Sequence, residues 1–242
     1  MTGMLASVNS VEEASLVLNA NVDIIDLKQP ALGALGALET GLVKKIVTEI
    51  DGRCPVSATV GDLPLQPEIV FNAVKAMADT GVDYIKIGFF PDGDRLGTVE
   101  KLSALTHAEP ASGRFPAHTP SNLALIAVLF ADAQPDLSII ASLKNAGFKG
   151  VMLDTMNKNN GSLTQVMAKT DIAQFVSLAK AHQLICGLAG SLRLEDIPEL
   201  MPYQPDYLGF RGALCMQYNR TAQLNKHSVA LIKQAIEHAD TT

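Results

Sequence analysis

The sequence predicts a single-domain (β/α)8 barrel, the TIM barrel, from three observations. Short apolar, β-branched runs alternate with longer amphipathic stretches, and turn residues separate them. This alternation repeats about eight times in 242 residues, which leaves about 30 residues for each strand and its crossover helix. The runs are almost continuously apolar, as in parallel strands that are covered by helices. Eight such units most simply close into a barrel, and an open doubly wound sheet is the alternative.

The elements follow one another in regular order along the chain. Apolar, β-branched runs predict strands over residues 4–8, 22–28, 56–61, 84–90, 123–130, 150–154, 184–188 and 207–210. Apolar residues at helical spacing predict helices over residues 11–20, 39–50, 67–80, 98–105, 137–146, 163–181, 194–200 and 224–238. No Pro/Ser/Gly-rich linker or change of composition divides the chain, so residues 1–242 are predicted to form one catalytic domain. The largest irregular segment, 109–121, is interpreted as an ordinary surface loop.

Composition and charge exclude several classes of partner. The chain has 19 basic and 25 acidic side chains, a formal net charge of -6 and no basic run. Nucleic acid and anionic membranes demand clustered Lys and Arg, so neither is expected as a partner, and a small molecule is. No stretch approaches the roughly 20 apolar residues that a bilayer crossing needs, and the start of the chain lacks the charged residues of a signal peptide. We therefore expect a cytoplasmic protein.

Cysteine and histidine indicate no metal or redox site. Cys54, Cys186 and Cys215 are far apart and odd in number, and their spacing matches no zinc or disulfide pattern. They are interpreted as small buried hydrophobes. The five histidines are equally scattered, so we expect neither a metal nor another cofactor.

Polar residues interrupt three of the apolar strands near their carboxyl ends, where barrels place their active sites. Side chains alternate between the two faces of a strand, so Asp26 and Lys28 share one face while the aliphatic residues beside them share the other. The aliphatic face should meet the helices, which directs the polar face into the barrel. The same parity directs Lys86 and Asp154 inward, and Lys158 follows in the next loop.

These lysines and aspartates have two interpretations. Each one alone could be a solvated strand end or half of a buried ion pair that stabilises the barrel. Together they favour a catalytic site, because such clusters perturb pKa values. A neighbouring cation lowers the pKa of a lysine, and the neutral amine can then attack a carbonyl to form a Schiff base. Of Lys28 and Lys86, one would be the nucleophile and the other a general acid or base.

Glycine-rich turns after the last two predicted strands indicate a phosphate site. Gly190 and Ser191 follow the seventh strand, and Arg211 and Gly212 follow the eighth. Glycine lets backbone N–H groups approach an oxyanion, and these two loops are where barrels commonly bind phosphate. Ser191 and Arg211 could add side-chain donors. The alternative is that the glycines only make tight turns. Phosphate binding is favoured, and it predicts a small phosphorylated carbonyl compound as substrate.

Five motifs that occur in order resemble one known family, (5-formylfuran-3-yl)methyl phosphate synthase, also called 4-(hydroxymethyl)-2-furancarboxaldehyde phosphate synthase, of methanofuran biosynthesis. The motifs are Asp26-Leu-Lys28-Gln-Pro30, Ile85-Lys86-Ile-Gly88, Leu153-Asp154-Thr, Gly187-Leu-Ala-Gly-Ser-Leu192 and Gly209-Phe-Arg-Gly-Ala213. The resemblance extends from the first strand to the last helix. Members of the family occur in methanogens and in methylotrophic bacteria, where they serve one-carbon metabolism.

The resemblance implies a barrel lyase that joins two molecules of glyceraldehyde 3-phosphate into (5-formylfuran-3-yl)methyl phosphate, with release of phosphate and two waters and without a cofactor. It implies that Lys28 is the Schiff-base lysine and Lys86 the proton acceptor. Asp26, Asp154 and Lys158 would be supporting groups in the same pocket.

Two other functions remain open from the residues alone. A class I aldolase or an isomerase that acts on another sugar phosphate would share the lysines and the phosphate loops, but it would release no inorganic phosphate. A non-catalytic sensor of a phosphorylated metabolite would need the loops but not the inward lysines. We also expect a homo-oligomer.

Overall fold

Eight parallel strands form a closed barrel in chain order, which confirms the predicted (β/α)8 fold. The computed structural model describes residues 1–107 and 123–240, so the segment 109–121, predicted as a surface loop, lies outside the described residues. The strands are β1 Gly3–Val8, β2 Ile24–Leu27, β3 Val56–Thr59, β4 Tyr84–Phe89, β5 Ala124–Phe130, β6 Gly150–Asp154, β7 Ile185–Leu188 and β8 Tyr207–Phe210. Their bounds differ from the predicted ones by two residues at most.

The helices lie between the strands and close the outside of the barrel. They are α1 Val11–Asn19, α2 Thr40–Ile50, α3 Pro67–Ala78, α4 Arg95–Thr106, α5 Ile139–Asn145, α6 Leu163–Val166, α7 Lys169–Ala181, α8 Ile197–Leu200 and α9 Lys226–Asp240. None of the helices in the two described ranges is long and apolar enough to cross a membrane. The expected homo-oligomer stays a prediction.

The single helix predicted over 163–181 is wrong, because two helices occupy this range. The backbone is extended at Met167 (φ -128°, ψ 138°) and at Ala168, which ends α6 and begins α7. Val166 and Met167 before the break and Ile172 after it all pack in the apolar core. The apolar periodicity therefore continues through it, and the sequence pattern does not reveal the interruption. The helix predicted over 194–200 is likewise a 3-10 turn followed by the short α8.

The predicted alternation of strand faces is confirmed. Ile25, Leu27, Ile85 and Ile87 are at most 1% exposed and belong to the large apolar core between strands and helices. A separate apolar cluster fills part of the barrel interior; it includes Leu5, Ile126, Val128, Phe130, Met152 and Tyr207. A one-residue slip of β4 would move two isoleucines inward and direct Lys86 into the outer core. Burial of each isoleucine contributes about 1.5–3 kcal/mol, so this register is strongly favoured.

The three cysteines are buried and free, as the sequence predicts. Burial raises the pKa of Cys186 to about 12, so its thiol stays protonated near neutral pH. Among the residues that the structure describes, no three His, Cys, Asp or Glu side chains come together as a metal site.

Candidate active site

A cavity of about 280 Å³ lies at the carboxyl ends of the strands. The predicted site residues that line it come from five strands and the loops after them: Lys28, Lys86, Asp154, Lys158, Gly190, Ser191, Arg211 and Gly212. Asp26 is the exception, since it is fully buried just behind Lys86. The fold therefore gathers predicted residues that are up to 184 positions apart in sequence around one space, because all parallel strands end at the same face of the barrel.

Asp26 and Lys86 form an ion pair inside the barrel. Lys86 Nζ lies 2.6 Å from Asp26 Oδ1, and the two side chains are 2% and 0% exposed. The hydroxyls of Ser7 and Ser57 donate to the two carboxylate oxygens of Asp26, each at 2.7 Å. Parity places both serines inward on β1 and β3, although the sequence analysis did not select them. A buried ion pair is tolerated only when its remaining polar atoms are bonded, and the serines meet that condition for Asp26.

The buried pair has pKa values that keep the carboxyl charged and ease loss of the lysine proton. Burial alone raises the pKa of Asp26, but the charges of Lys86 and Lys28 and the hydrogen bonds outweigh it, so the pKa is lowered. Burial also lowers the pKa of Lys86, and the nearby charge of Lys28 lowers it further, while Asp26 opposes both. Lys86 can thus be a proton acceptor nearer to neutral pH than an exposed lysine.

Asp154 lies between two lysines at the mouth of the barrel. Lys158 Nζ and the backbone N–H of Thr155 both donate to Asp154 Oδ1. Lys28 Nζ is 3.7 Å from Asp154 Oδ2, which is an ion pair without a close hydrogen bond. Lys28 is therefore the least tightly held of the three lysines, although its side chain is only 8% exposed. Such an amine has the freedom to reach a carbonyl carbon in the cavity.

The two lysines also set the protonation of Asp154. Burial raises the pKa of Asp154, but the charges of Lys158 and Lys28 outweigh that effect and lower it to about 2. Burial lowers the pKa of Lys158 to about 8, with Asp154 opposing and the charge of Lys28 adding to the decrease. At neutral pH the carboxylate of Asp154 is ionised and Lys158 is mostly charged.

The turn after β7 has the geometry of an anion site. Gly190 has φ 114° and Ser191 φ 49°, so two successive residues adopt left-handed backbone conformations. A Cβ at Gly190 would lie 2.8 Å from Thr155 Cγ2, which makes glycine necessary at this position. Among the described residues, the N–H groups of Ser191 and Leu192 donate to no other group, and both residues line the cavity. They can therefore donate to an anion.

The structure gives Arg211 a different role from the predicted phosphate donor. Its guanidinium donates to both carboxylate oxygens of Glu13, at 2.5 and 3.3 Å, and to the carbonyls of Ser7, Arg220 and Ala222. An arginine has five N–H donors, and these contacts use all of them. Arg211 thus joins α1 to the end of β8, and its side chain has no donor left for a phosphate. Gly212, in the same turn, lines the cavity as expected.

Arg220 is a functional candidate that the sequence analysis missed. It lies in the loop after β8, it lines the cavity, and one guanidinium nitrogen donates to the carbonyl of Gly33 at 2.9 Å. Burial lowers the pKa of Arg220, yet an arginine remains charged at neutral pH. The available signal was a second arginine in the loop that follows the last strand. Arg193, which lies over the ring of Tyr218, also lines the cavity.

Cations outnumber carboxylates around this cavity. Among the described residues near it, the five cations Lys28, Lys86, Lys158, Arg193 and Arg220 face three carboxylates, since Asp26 pairs with Lys86, Asp154 with the other two lysines and Glu195 with Arg193. A chain with a net charge of -6 therefore has a locally cationic pocket. Such a pocket binds an anionic ligand and raises its local concentration.

Comparison with known protein families gives a match over nearly the whole chain. Residues 4–233 match the family model described as 4-HFC-P synthase. A candidate (5-formylfuran-3-yl)methyl phosphate synthase of Methylorubrum extorquens is 40% identical over 97% of this chain and 90% of its own length. The (5-formylfuran-3-yl)methyl phosphate synthase of Methanocaldococcus jannaschii is 32% identical over 96% of this chain and 98% of its own.

Solved structures with the same fold are much less similar in sequence. 3-Hexulose-6-phosphate synthase from Salmonella typhimurium superposes with a TM-score of 0.68 at 14% identity, over 98% of this chain and all of its own. Phosphoribosyl anthranilate isomerase from Thermus thermophilus gives 0.65 at 10% identity, over 98% of this chain and 99% of its own. These similarities support the barrel fold alone.

Proposed function

The chain belongs to the 4-HFC-P synthase family, and on this premise we propose that it is a carbon–oxygen lyase that makes (5-formylfuran-3-yl)methyl phosphate from two molecules of glyceraldehyde 3-phosphate. The products are one furan phosphate, one inorganic phosphate and two waters. The observation that carries the proposal is the loosely held Lys28 beside the lysine-bonded carboxylate Asp154 in a cationic pocket. An amine of this kind forms imines, and the surrounding charge favours a phosphorylated carbonyl substrate.

The first step is formation of the imine. Lys28 Nζ, once deprotonated, attacks the aldehyde carbon of one triose, and water leaves as the Schiff base forms. Asp154, which keeps its negative charge, stabilises the cationic imine from 3.7 Å away. Lys158 donates to the other oxygen of Asp154 and so orients it.

The second step removes a proton from the carbon next to the imine. The imine withdraws electrons and acidifies this carbon, and the neutral amine of Lys86 accepts the proton. The electron pair of the C–H bond becomes the double bond of an enamine. Asp26, fixed by Ser7 and Ser57, stabilises the ammonium that results at Lys86. Loss of phosphate or aldol attack on the second triose follows from the enamine.

The last steps close the ring. Cyclisation and loss of two waters give the furan, whose aromatic stability makes these steps effectively irreversible. Water then hydrolyses the imine, which frees the amine of Lys28, leaves the aldehyde on the product and offsets the water lost when the imine formed, so that two waters are released overall. The ammonium of Lys158 can pass a proton to the leaving hydroxyls, since it faces the same space as Lys28, and the ionised Asp154 orients it. The N–H groups of Ser191 and Leu192 and the guanidinium of Arg220 hold the phosphate groups in this proposal.

The function is tested by incubation of the purified chain with glyceraldehyde 3-phosphate. We expect release of inorganic phosphate together with a furan-aldehyde ultraviolet absorbance, in a ratio of about one to one from the proposed balance. Turnover without phosphate release would favour the aldolase or isomerase, and binding without turnover would favour the sensor. Dihydroxyacetone phosphate and sugar phosphates serve as comparison substrates.

Arg220 and Arg211 give opposite predictions. Arg220→Gln removes a charged donor from the cavity, so we expect the KM for glyceraldehyde 3-phosphate to rise by about 10- to 100-fold with little change in the thermal midpoint. Arg211→Gln leaves the carboxylate of Glu13 buried without its cation, so we expect the free energy of unfolding to fall by about 3–5 kcal/mol. Steady-state kinetics and denaturant unfolding of both variants check this. If Arg211→Gln raises KM without loss of stability, Arg211 binds the phosphate of the substrate after all.

The pH dependence of KM is expected to follow the protonation state of Lys158. Its pKa is about 8, so the ammonium is charged below pH 8 and lost above it. Because a phosphorylated substrate is expected to need this charge, KM should rise above pH 8, by up to about tenfold for each pH unit. Lys158→Arg keeps the charge at alkaline pH, so its KM should stay level over the same range. An equal rise in both proteins would assign the dependence to another group.

A further inference from the structure

A second cavity, of about 270 Å³, lies at the end of the barrel opposite the candidate active site. Four of its lining residues, Ile24, Tyr84, Ile185 and Tyr207, are the first residues of β2, β4, β7 and β8. The cavity therefore lies at the amino ends of the strands. Asp206 at its rim is exposed, and Ile24, Tyr84 and Ile185 are half-buried, so the cavity opens to solvent on this face. We call it the lower cavity.

The lining of the lower cavity suits water. Neither the Tyr84 nor the Tyr207 hydroxyl bonds to another group among the described residues, and no fully buried side-chain polar atom there lacks a partner. The two hydroxyls must therefore face accessible space, where water can bond to them. Interiors of small barrels are normally filled by side chains, so an open space that Lys86, Ser57 and two tyrosines share with aliphatic side chains is unusual. A Cβ at Gly187 would lie 2.4 Å from the ring of Tyr207, so glycine is what allows the ring to occupy its position beside the space.

Lys86 connects the two ends of the barrel. It lines both the active-site cavity and the lower cavity. Its partner Asp26 has one hydroxyl on each side, because Ser7 lines the active-site cavity and Ser57 lines the lower one. Lys86 and Leu5, which both line the two cavities, thus lie between them, and one amine can meet substrate above it and water below it.

The proposed reaction requires a route by which Lys86 can lose a proton while substrate fills the active-site cavity. Lys86 must lose the proton that it takes from carbon before it can act again. Two triose phosphates in the upper cavity displace the water there, and the lysine itself is only 2% exposed. The lower cavity is a second space that Lys86 lines.

We propose that the lower cavity is a water-filled exit through which Lys86 releases the substrate-derived proton to solvent at the amino-terminal face of the barrel. This inference rests on the proposed function, in which Lys86 is the base. The neutral Nζ gains the proton while the C–H electron pair stays with the enamine. The ammonium then passes a proton to water in the lower cavity, which restores the amine and leaves Asp26 ionised throughout.

The exit is tested by filling the lower cavity without touching the reacting groups. Ile185→Phe extends a ring into the space, Ile24→Phe does so from another strand, and Ile185→Val is the matched control that leaves the space open. Exchange of the Lys86 Nζ protons with solvent is measured by nitrogen-15 NMR on the chain whose Lys28 carries the borohydride-reduced glyceraldehyde 3-phosphate adduct, which fills the active-site cavity. The signal is assigned by its absence in Lys86→Arg. We expect exchange to slow by about tenfold or more in both Phe variants, since the amine must then wait for a local opening, and to be unchanged in Ile185→Val.

A second measurement follows the substrate-derived proton. With glyceraldehyde 3-phosphate in D2O, the ratio of deuterium in recovered substrate to phosphate released should fall in the Phe variants, because a proton retained on Lys86 returns to carbon. A general loss of structure would lower both rates together and leave the ratio unchanged. If the exchange rate of the Lys86 Nζ protons is unchanged in both folded Phe variants, the proposed proton exit is wrong. Absence of phosphate release from the wild-type protein instead refutes the proposed function, so the two failures are distinguishable.

Discussion

Replacement of Lys28 by arginine is expected to lower turnover by about 10³-fold or more, because the guanidinium cannot form a Schiff base. Arginine keeps a positive charge near Asp154, so the electrostatics of the pocket should change little. Stability is expected to be close to that of the parent chain for the same reason. The loss of activity would then report the missing amine rather than a missing cation.

Trapping with borohydride makes this prediction specific. Treatment of the wild-type chain with borohydride and glyceraldehyde 3-phosphate should add mass to the peptide that contains Lys28, and Lys28→Arg should give no adduct there. The control is Lys45→Arg, because Lys45 is an exposed lysine on the outer helix α2. This variant should behave as wild type. Labelling of Lys86 or Lys158 in the parent chain would move the nucleophile to that residue.

Replacement of Lys86 by arginine is the second large effect, with an expected loss of about 10²- to 10⁴-fold in turnover. Arginine keeps the charge beside Asp26 but does not deprotonate near neutral pH, so it cannot accept the proton from carbon. The Schiff base should still form at Lys28. The variant should therefore give the borohydride adduct while it neither releases phosphate nor exchanges the substrate proton with solvent.

Formation of the adduct distinguishes loss of the base from misfolding, since a misfolded barrel would lose the adduct as well. Lys86→Gln, which has a smaller side chain without charge, is expected to give the same result. In the wild-type chain, turnover should rise with pH as Lys86 loses its proton, and the midpoint should lie below that of an exposed lysine because burial lowers its pKa. Full activity of a folded Lys86→Arg chain would remove Lys86 from the role of base.

Much of the site was predictable because strand parity and barrel topology are local and general rules. Ile85 and Ile87 beside Lys86 determine which way the lysine points, and the end of the strand determines which face of the barrel it reaches. The same reasoning directed Asp26 and Asp154 inward. What parity does not supply is the partner of each group, because partners come from other strands.

The sequence by itself determined the eightfold alternation, the inward lysines and the glycine turn at Gly190, since each depends on short-range pattern. Only the tertiary structure determined which acceptor each arginine donates its hydrogen bonds to. Arg211 meets Glu13, which lies 198 positions away, because closure of the barrel sets β8 beside β1. This contact leaves Arg220 and Arg193 as the arginines of the described residues that can offer donors to the cavity. The lower cavity has the same origin: it depends on how the first residues of four distant strands fill one end of the barrel.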